Sequence, residues 1–349
     1  MKLQSLLAIV AMAVVTGCSN DELPQLRKSP SEITFTPMEF GASKPSTRGS
    51  QVSSDNIVSY GVSASIYAAG GSYATAPSGG YMNNVEIPAN TGYSGYYWPG
   101  SAKNVSFFAY APYNATGLTV GSASALGYPS YTYTVPTTIG SQSDFITANV
   151  LNHAGTETDD PVMLSFAHQC ADIRFLAYNQ GPSSITLHSI GIYGVKYSGT
   201  FCEGTNPKWT LSSSVNSTSV NPFLLSVGSA IASGATVDVT GTSNHFIMLP
   251  QTVASGTQMF DVDATIGGTR QHYYYTLPAA LELQAGKCYT YTLTLGEPTL
   301  IVDTATDIAD WQVEVKYLTV SGVSSTSTWT QPSVDNGQGI GIEDWTEEE

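Results

Sequence analysis

"KCYTYTLTL", Lys287 to Leu295, decides the fold class. Tyr289, Tyr291, Leu293 and Leu295 fall on one face of an extended chain, and Thr290, Thr292 and Thr294 fall on the other. Successive side chains of a strand point to opposite faces, so this pattern predicts a strand with one face in a core. The same reading extends outward along the chain. "DIRFLAY", Asp172 to Tyr178, and "SITLHSIGIYGV", Ser184 to Val195, alternate too, the second with Gly191 as a predicted bulge position. "NVSFFAYAP", Asn104 to Pro112, is apolar on both faces, which predicts a central strand. "EITFTPMEF", Glu32 to Phe40, places Ile33 and Phe35 on one face, is interrupted by Pro37 and resumes with Met38 and Phe40. Proline cannot donate to a ladder, so this short strand is predicted at an edge or a bulge. No segment sustains a 3.6-residue apolar period for more than a couple of turns. The predicted class is all-β: sandwiches with Greek-key connections.

Composition supports the same class. The 349 residues are 42% hydrophobic and only 11% charged, with 33 Gly and 21 Tyr, a profile of short strands and tight turns rather than charged helices. The net charge is −15 and the few Lys and Arg are scattered, which argues against nucleic acid and anionic membrane surfaces as partners. The length favours two domains. The polar stretch "NHAGTETDDP", Asn152 to Pro161, is the predicted linker. It divides an N-terminal sandwich, 49–158, from a C-terminal one, 159–320, followed by an extension, 321–349.

The start of the chain carries an address. Met1 and Lys2 precede an apolar run from Leu3 to Val15, and Gly17 and Cys18 follow at once. The run is too short to span a membrane as a helix but suits a signal-peptide core over 1–17. Plain secretion with an incidental Cys is one reading. The combination resembles the bacterial lipobox and favours lipidation of Cys18, where palmitate-like chains would contribute about 0.8 kcal/mol per buried methylene. Ser19, Asn20, Asp21 and Glu22 behind it resemble a surface-export signal of Gram-negative lipoproteins, or form a solvated linker. Residues 18–48 then comprise a tether and the first strand, and "GASKPSTRGSQ", Gly41 to Gln51, is small, polar and predicted to be open to proteases. With Cys18 lipidated, Cys170, Cys202 and Cys288 remain, an odd number that leaves at least one thiol unpaired.

Catalytic signatures are absent, so no enzyme, cofactor or metal is predicted. The five His are dispersed, and Asp261 and Asp263, on one face of a strand, fall short of a calcium loop's ligand density. Two Tyr-rich stretches, "GYSGYYWPG" (Gly92 to Gly100) and "HYYYTLP" (His272 to Pro278), suit either strand packing or stacking against sugar rings.

Several blocks together resemble the fimbrillin family of lipoprotein pilins, the subunits of type V pili. "YYWPGSAKNVSFFAYAPY", Tyr96 to Tyr113, is similar to its Trp-Pro turn and following strand, and "VMLSFAHQCADIRFLA", Val162 to Ala177, to its Leu-x-Phe-x-His strand. "FIMLPQ", Phe246 to Gln251, and "AGKCYTYTLTL", Ala285 to Leu295, are similar to later strands. The resemblance implies two tandem transthyretin-like sandwiches that assemble by donor-strand exchange. It implies cleavage by an Arg-specific protease, here at Arg48-Gly49, freeing the strand that carries Ile33, Phe35, Met38 and Phe40. The candidate replacement is the C-terminal extension, anchored by Ile340, Ile342 and Trp345. The implied protein is a fimbrial subunit for cell adhesion, exported through the periplasm to the outer membrane and cell surface. Its partners would be other subunits, the membrane through Cys18, the protease and a surface receptor. Two alternatives stay open: an anchor subunit that keeps its lipid, and a surface glycan-binding lipoprotein.

Overall fold

The computed structural model describes residues 31–39, 57–73, 80–121, 129–156, 160–203, 207–241, 243–296, 300–305 and 321–322. The described chain is all-β. Its strands are β1 Glu32–Glu39, β2 Ser59–Ala68, β3 Gly80–Pro88, β4 Tyr93–Tyr97, β5 Lys103–Ala111, β6 Leu118–Val120, β7 Ser130–Thr134, β8 Ile146–Ala154 and β9 Val162–His168. There follow β10 Ala171–Asn179, β11 Ile185–Ile192, β12 Ser198–Cys202, β13 Lys208–Leu211, β14 Phe223–Ile231, β15 Thr236–Asp238, β16 Phe246–Met248 and β17 Gln251–Val253. The last are β18 Gln258–Ile266, β19 Thr269–Thr276, β20 Leu281–Leu283, β21 Cys288–Leu295, β22 Leu300–Ala305 and β23 Ser321–Gly322. Among the described residues no helix is long and apolar enough to cross a membrane.

The first sheet runs β3-β2-β5-β8-β9-β1-β4. Strand β5, apolar on both faces in the sequence, lies between β2 and β8 and is buried from Val105 to Ala111. Around it Ile33, Phe35, Tyr60, Val62, Trp98, Phe107, Val162, Leu164 and Phe166 form one core.

The second half stacks two sheets, β15-β10-β21-β22-β23 and β14-β11-β18-β19. Strand β21 pairs in parallel with β10 from Asp172↔Cys288 to Asn179↔Leu295. Its inward residues are those of the alternating pattern, with Tyr291, Leu293 and Leu295 at most 1% exposed. Phe175 of β10 reaches Phe260 of β18 edge-on at 5.2 Å and lies parallel to Tyr291 at 5.8 Å, so ring contacts join the two sheets.

Two details differ from the sequence reading. The bulge of β11 falls between Leu187 and Ser189, at His188, not at Gly191. Gly191 has another reason to be glycine: a Cβ there would lie 2.7 Å from the Tyr193 ring. The chain also passes between the cores more than once. Strand β9, beyond the predicted linker, pairs with β8 and β1, while β7 pairs with β12, and Tyr131, Tyr133 and Phe145 join the C-terminal core. Cys170, Cys202 and Cys288 are all free thiols, and Cys170 and Cys288 are buried.

Candidate functional site: the slot of the first strand

β1 is local in sequence and non-local in structure. Alternation turns Ile33 and Phe35 inward, where they are 0% and 3% exposed. The strand changes partner halfway. Glu32 and Thr34 pair antiparallel with Tyr97 and Tyr93 of β4, and Phe35 to Glu39 pair in parallel with Val162 to Phe166 of β9. Pro37 lies in the second half, opposite Leu164, where β9 is the partner and β4 no longer runs alongside. The edge predicted from Pro37 therefore exists at that residue, although β1 as a whole lies inside the sheet order.

The slot is built of both apolar and polar contacts. Phe35 meets Phe107 edge-on at 5.2 Å, Phe107 meets Trp98 at 6.0 Å, and Trp98 stacks on His153 at 4.8 Å. Backbone bonds pin the first half: Phe35 N–H to Gly92 O at 3.0 Å and Trp98 N–H to Ser31 O at 3.1 Å. The Ser94 hydroxyl donates to Ile33 O at 2.6 Å, and Gly95 N–H donates to Glu32 Oε1 at 2.7 Å. Gly92 has φ +67°, and a Cβ there would sit 2.1 Å from Phe35 O, so only glycine lets β4 and β1 approach this closely. Burying Ile33 and Phe35 contributes about 1.5–3 kcal/mol each before ordering costs. Burial also raises the phenol pKa of Tyr60, elsewhere in this core, well above its ordinary value.

Of the residues singled out in the sequence, the structure places Ile33 and Phe35 in this slot and the backbone of Met38 in β1. Cys18, Phe40, Arg48, Gly49, Ile340, Ile342 and Trp345 lie outside the described residues. Sequence reasoning missed Gly92, Ser94 and Glu32 as the clamps on β1. It also missed β9 as its parallel partner, because none of these pairings has a local signature.

Elsewhere the ionisable groups hold structural partners. His168 Nδ1 lies 2.6 Å from Asp144, His245 Nδ1 2.9 Å from Asp172 and His272 Nδ1 2.8 Å from Asp261. Arg270 binds Asp263 through two nitrogens, which holds that carboxyl below its ordinary pKa. Among the described residues no group of three or more His, Cys, Asp or Glu could hold a metal.

A family model described as fimbrillin-like matches residues 52–311. No curated protein sequence matches the chain. Among solved structures, a candidate cell adhesion protein from Bacteroides ovatus is 16% identical, with a TM-score of 0.52 over 82% of this chain and 100% of that one. Another from Bacteroides uniformis is 18% identical, with a TM-score of 0.45 over 72% of this chain and 91% of that one. A fimbrial assembly protein from Parabacteroides distasonis is 12% identical, with a TM-score of 0.38 over 83% and 100%. At these identities the first likeness speaks for the fold.

Proposed function

The chain belongs to the fimbrillin-like family, and from that premise we propose that it is a structural subunit of a cell-surface fimbrium that serves adhesion and polymerises by exchange of its first strand. In this reading Cys18 carries lipid, the precursor reaches the outer membrane, and an Arg-specific protease cuts Arg48-Gly49. The observation that carries it is the position of β1. That strand fills a slot between β9 and β4, and its last residue, Glu39, stands nine positions before Arg48 (48 − 39). One cut after Arg48 therefore separates both the lipid and the Ile33, Phe35, Met38 and Phe40 strand from the body. Loss of β1 would leave the β1-facing edges of β9 and β4 unpaired and the Phe107 and Trp98 face open, a state that strongly favours a new strand. The extension supplies Ile340 and Ile342, which share one face of an extended chain, with Trp345 three positions on, for that role in a neighbouring subunit.

The test is the mass and N-terminus of the protein recovered from its own cell surface. A lipid-free chain beginning at Gly49, with fibres in the same fraction, is the expected result. A chain still acylated at Cys18 would replace this reading with that of an anchor subunit that stays on the membrane. A chain lacking 339–349 is expected to fold, accept a strand and fail to extend fibres; fibre growth from it would remove the donor role from Ile340, Ile342 and Trp345.

A further inference from the structure

The two Tyr-rich stretches separate in the fold. Tyr273 and Tyr275 of the second are 3% and 1% exposed and belong to the C-terminal core. In the first, Trp98 is buried, yet Tyr93 and Tyr97 are 60% and 49% exposed. Single exposed apolar residues are ordinary, but two aromatic rings on one face of one five-residue strand, around a glycine with positive φ, form a patterned surface.

The geometry of that surface comes from a bulge. Tyr97 and Tyr93 stand opposite Glu32 and Thr34, so four steps along β4 span two steps along β1. Two residues are thereby looped out, and the Cα atoms of the two tyrosines come to about 7 Å apart instead of about 13 Å. Gly95, at the middle of the loop, has φ +71° and nothing within 4 Å of where a Cβ would stand. Its N–H is held by the Glu32 carboxylate, and the Ser94 hydroxyl, pointing inward, accepts from Tyr96 N–H at 3.1 Å. Behind the face, Tyr81 and Tyr96 rings meet edge-on at 5.5 Å, and the Tyr81 hydroxyl donates to Tyr97 O. The result is an open gap over Gly95, flanked by two exposed rings, with a carboxylate at its side and a braced strand beneath it.

We propose that Tyr93, Gly95, Tyr97 and Glu32 form a binding site for a neutral, unbranched saccharide, with two sugar rings stacked on the tyrosines. The apolar faces of pyranose rings pack on aromatic faces, and the tyrosine spacing is on the scale of successive rings in a saccharide chain. The Glu32 carboxylate accepts hydrogen bonds from sugar hydroxyls. The same carboxylate, on a chain of net charge −15, repels uronic and sialic acids, which sets the preference for neutral sugars. Glu32 lies on β1, so the site is that of the uncleaved chain: as an adhesive site it rests on the reading of the protein as a surface subunit, and exchange of β1 would take the carboxylate out of it. It is measured on the monomer, however, so failure of strand exchange would leave it standing and its own failure would leave strand exchange standing.

The experiment titrates the uncleaved chain with cellohexaose and maltohexaose as neutral hexamers and with hexagalacturonate as the acidic one, followed by NMR shifts of the tyrosine rings. At least one neutral hexamer is expected to bind with Kd in the millimolar range or below, about tenfold or more tighter than hexagalacturonate. Tyr93→Ala and Tyr97→Ala should each weaken binding roughly 2- to 12-fold, and the double variant should abolish it, whereas Tyr274→Ala should change nothing. Melting temperatures should hold, since both rings are largely exposed; Tyr93→Phe and Tyr97→Phe keep the stacking face and should retain binding. The proposal is overturned if neither neutral hexamer binds at about 10 mM, if hexagalacturonate binds as well as they do, or if the double alanine variant binds unchanged. Loss of self-association in that variant without saccharide binding would assign the face to a second copy of the chain instead.

Discussion

In the C-terminal core, β10 and β21 run side by side through eight consecutive residue pairs, and the buried Asp172–His245 pair sits beside them. In the N-terminal core, β1 has five pairs with β9 and two with β4, and Ile33 and Phe35 are the most buried of its described side chains. A strand paired throughout on one side and braced by a buried Asp–His contact leaves only by breaking its domain. A strand held by two half-ladders and anchored by Ile33 and Phe35 can leave while β3, β2, β5, β8 and β9 stay paired with one another. The contrast teaches that burial alone does not make an element inseparable; the continuity of its ladder and its polar ties matter as well.

Equal truncations in the two cores put that contrast at risk most directly. Phe175→Ala is expected to lower unfolding stability by about 3–5 kcal/mol and to loosen β10 and β21 together, read by urea denaturation and amide exchange. Phe35→Ala removes the same ring, but its effect should concentrate in faster exchange of the Phe35 amide, now bonded to Gly92 O, while β10 and β21 amides keep their protection. If both variants open the C-terminal strands equally, the first strand is not separable from the body.

The next effect lies where the two halves meet. Glu203, 4% exposed, donates its N–H to Pro129 O at 3.2 Å and accepts from Asn149 of β8 at 3.4 Å. Burial pushes its carboxyl up to about 7, against the opposing hydrogen bonds from Thr147 and Asn149. Below the ordinary value of 4.5 both folded and unfolded chains carry the proton. Between there and about 7 the folded state alone retains it, so stability falls as pH rises. The loss saturates above the folded value at about 3 kcal/mol, from the size of the shift. Glu203→Gln should remove this component: the stability gap between variant and wild type should change by that order from pH 4.5 to about pH 8. A gap that stays constant with pH would mean that the carboxyl is ionised throughout.

The smallest effect compares two glycines with positive φ. Gly92→Ala meets Phe35 O at 2.1 Å and is expected to cost about 1–3 kcal/mol, with release of β1 visible as proteolysis before Ser59. Gly286→Ala, with φ +68° and its nearest atom at 3.9 Å, carries only the backbone strain, about 1 kcal/mol. Equal losses at both sites would show that the close approach at Gly92 contributes nothing to holding the strand.

Much of the architecture was legible because a strand's period is read from adjacent residues. The alternation of Tyr289 to Leu295, the two-faced apolar run of β5 and the inward pair Ile33 and Phe35 each appear where the sequence puts them. Pro37 forecast a missing ladder partner, and one side of β1 is indeed without β4 at that point. The bulge at His188 was not legible: it depends on Leu187 and Ser189 keeping register with β18 and β14 at once. Nor were the His–Asp pairs, whose members are 11, 24 and 73 positions apart and are brought together by strand packing. The Tyr-rich stretches looked alike as text, yet one is core and the other partly surface, since neighbouring strands cover Tyr273 and Tyr275 and leave Tyr93 and Tyr97 bare.

What the sequence determined by itself is the all-β class, the face each strand turns inward and the residue types that can fill a core, because these follow from local periodicity and side-chain chemistry. The tertiary structure alone decided which strands meet: β1 with β9 and β4, β9 with the first sheet, and Asp172 with Cys288 across 116 positions (288 − 172). Alternation specifies a strand's face but not its neighbour, and the neighbour is chosen only when distant segments pack into one core and satisfy each other's backbone.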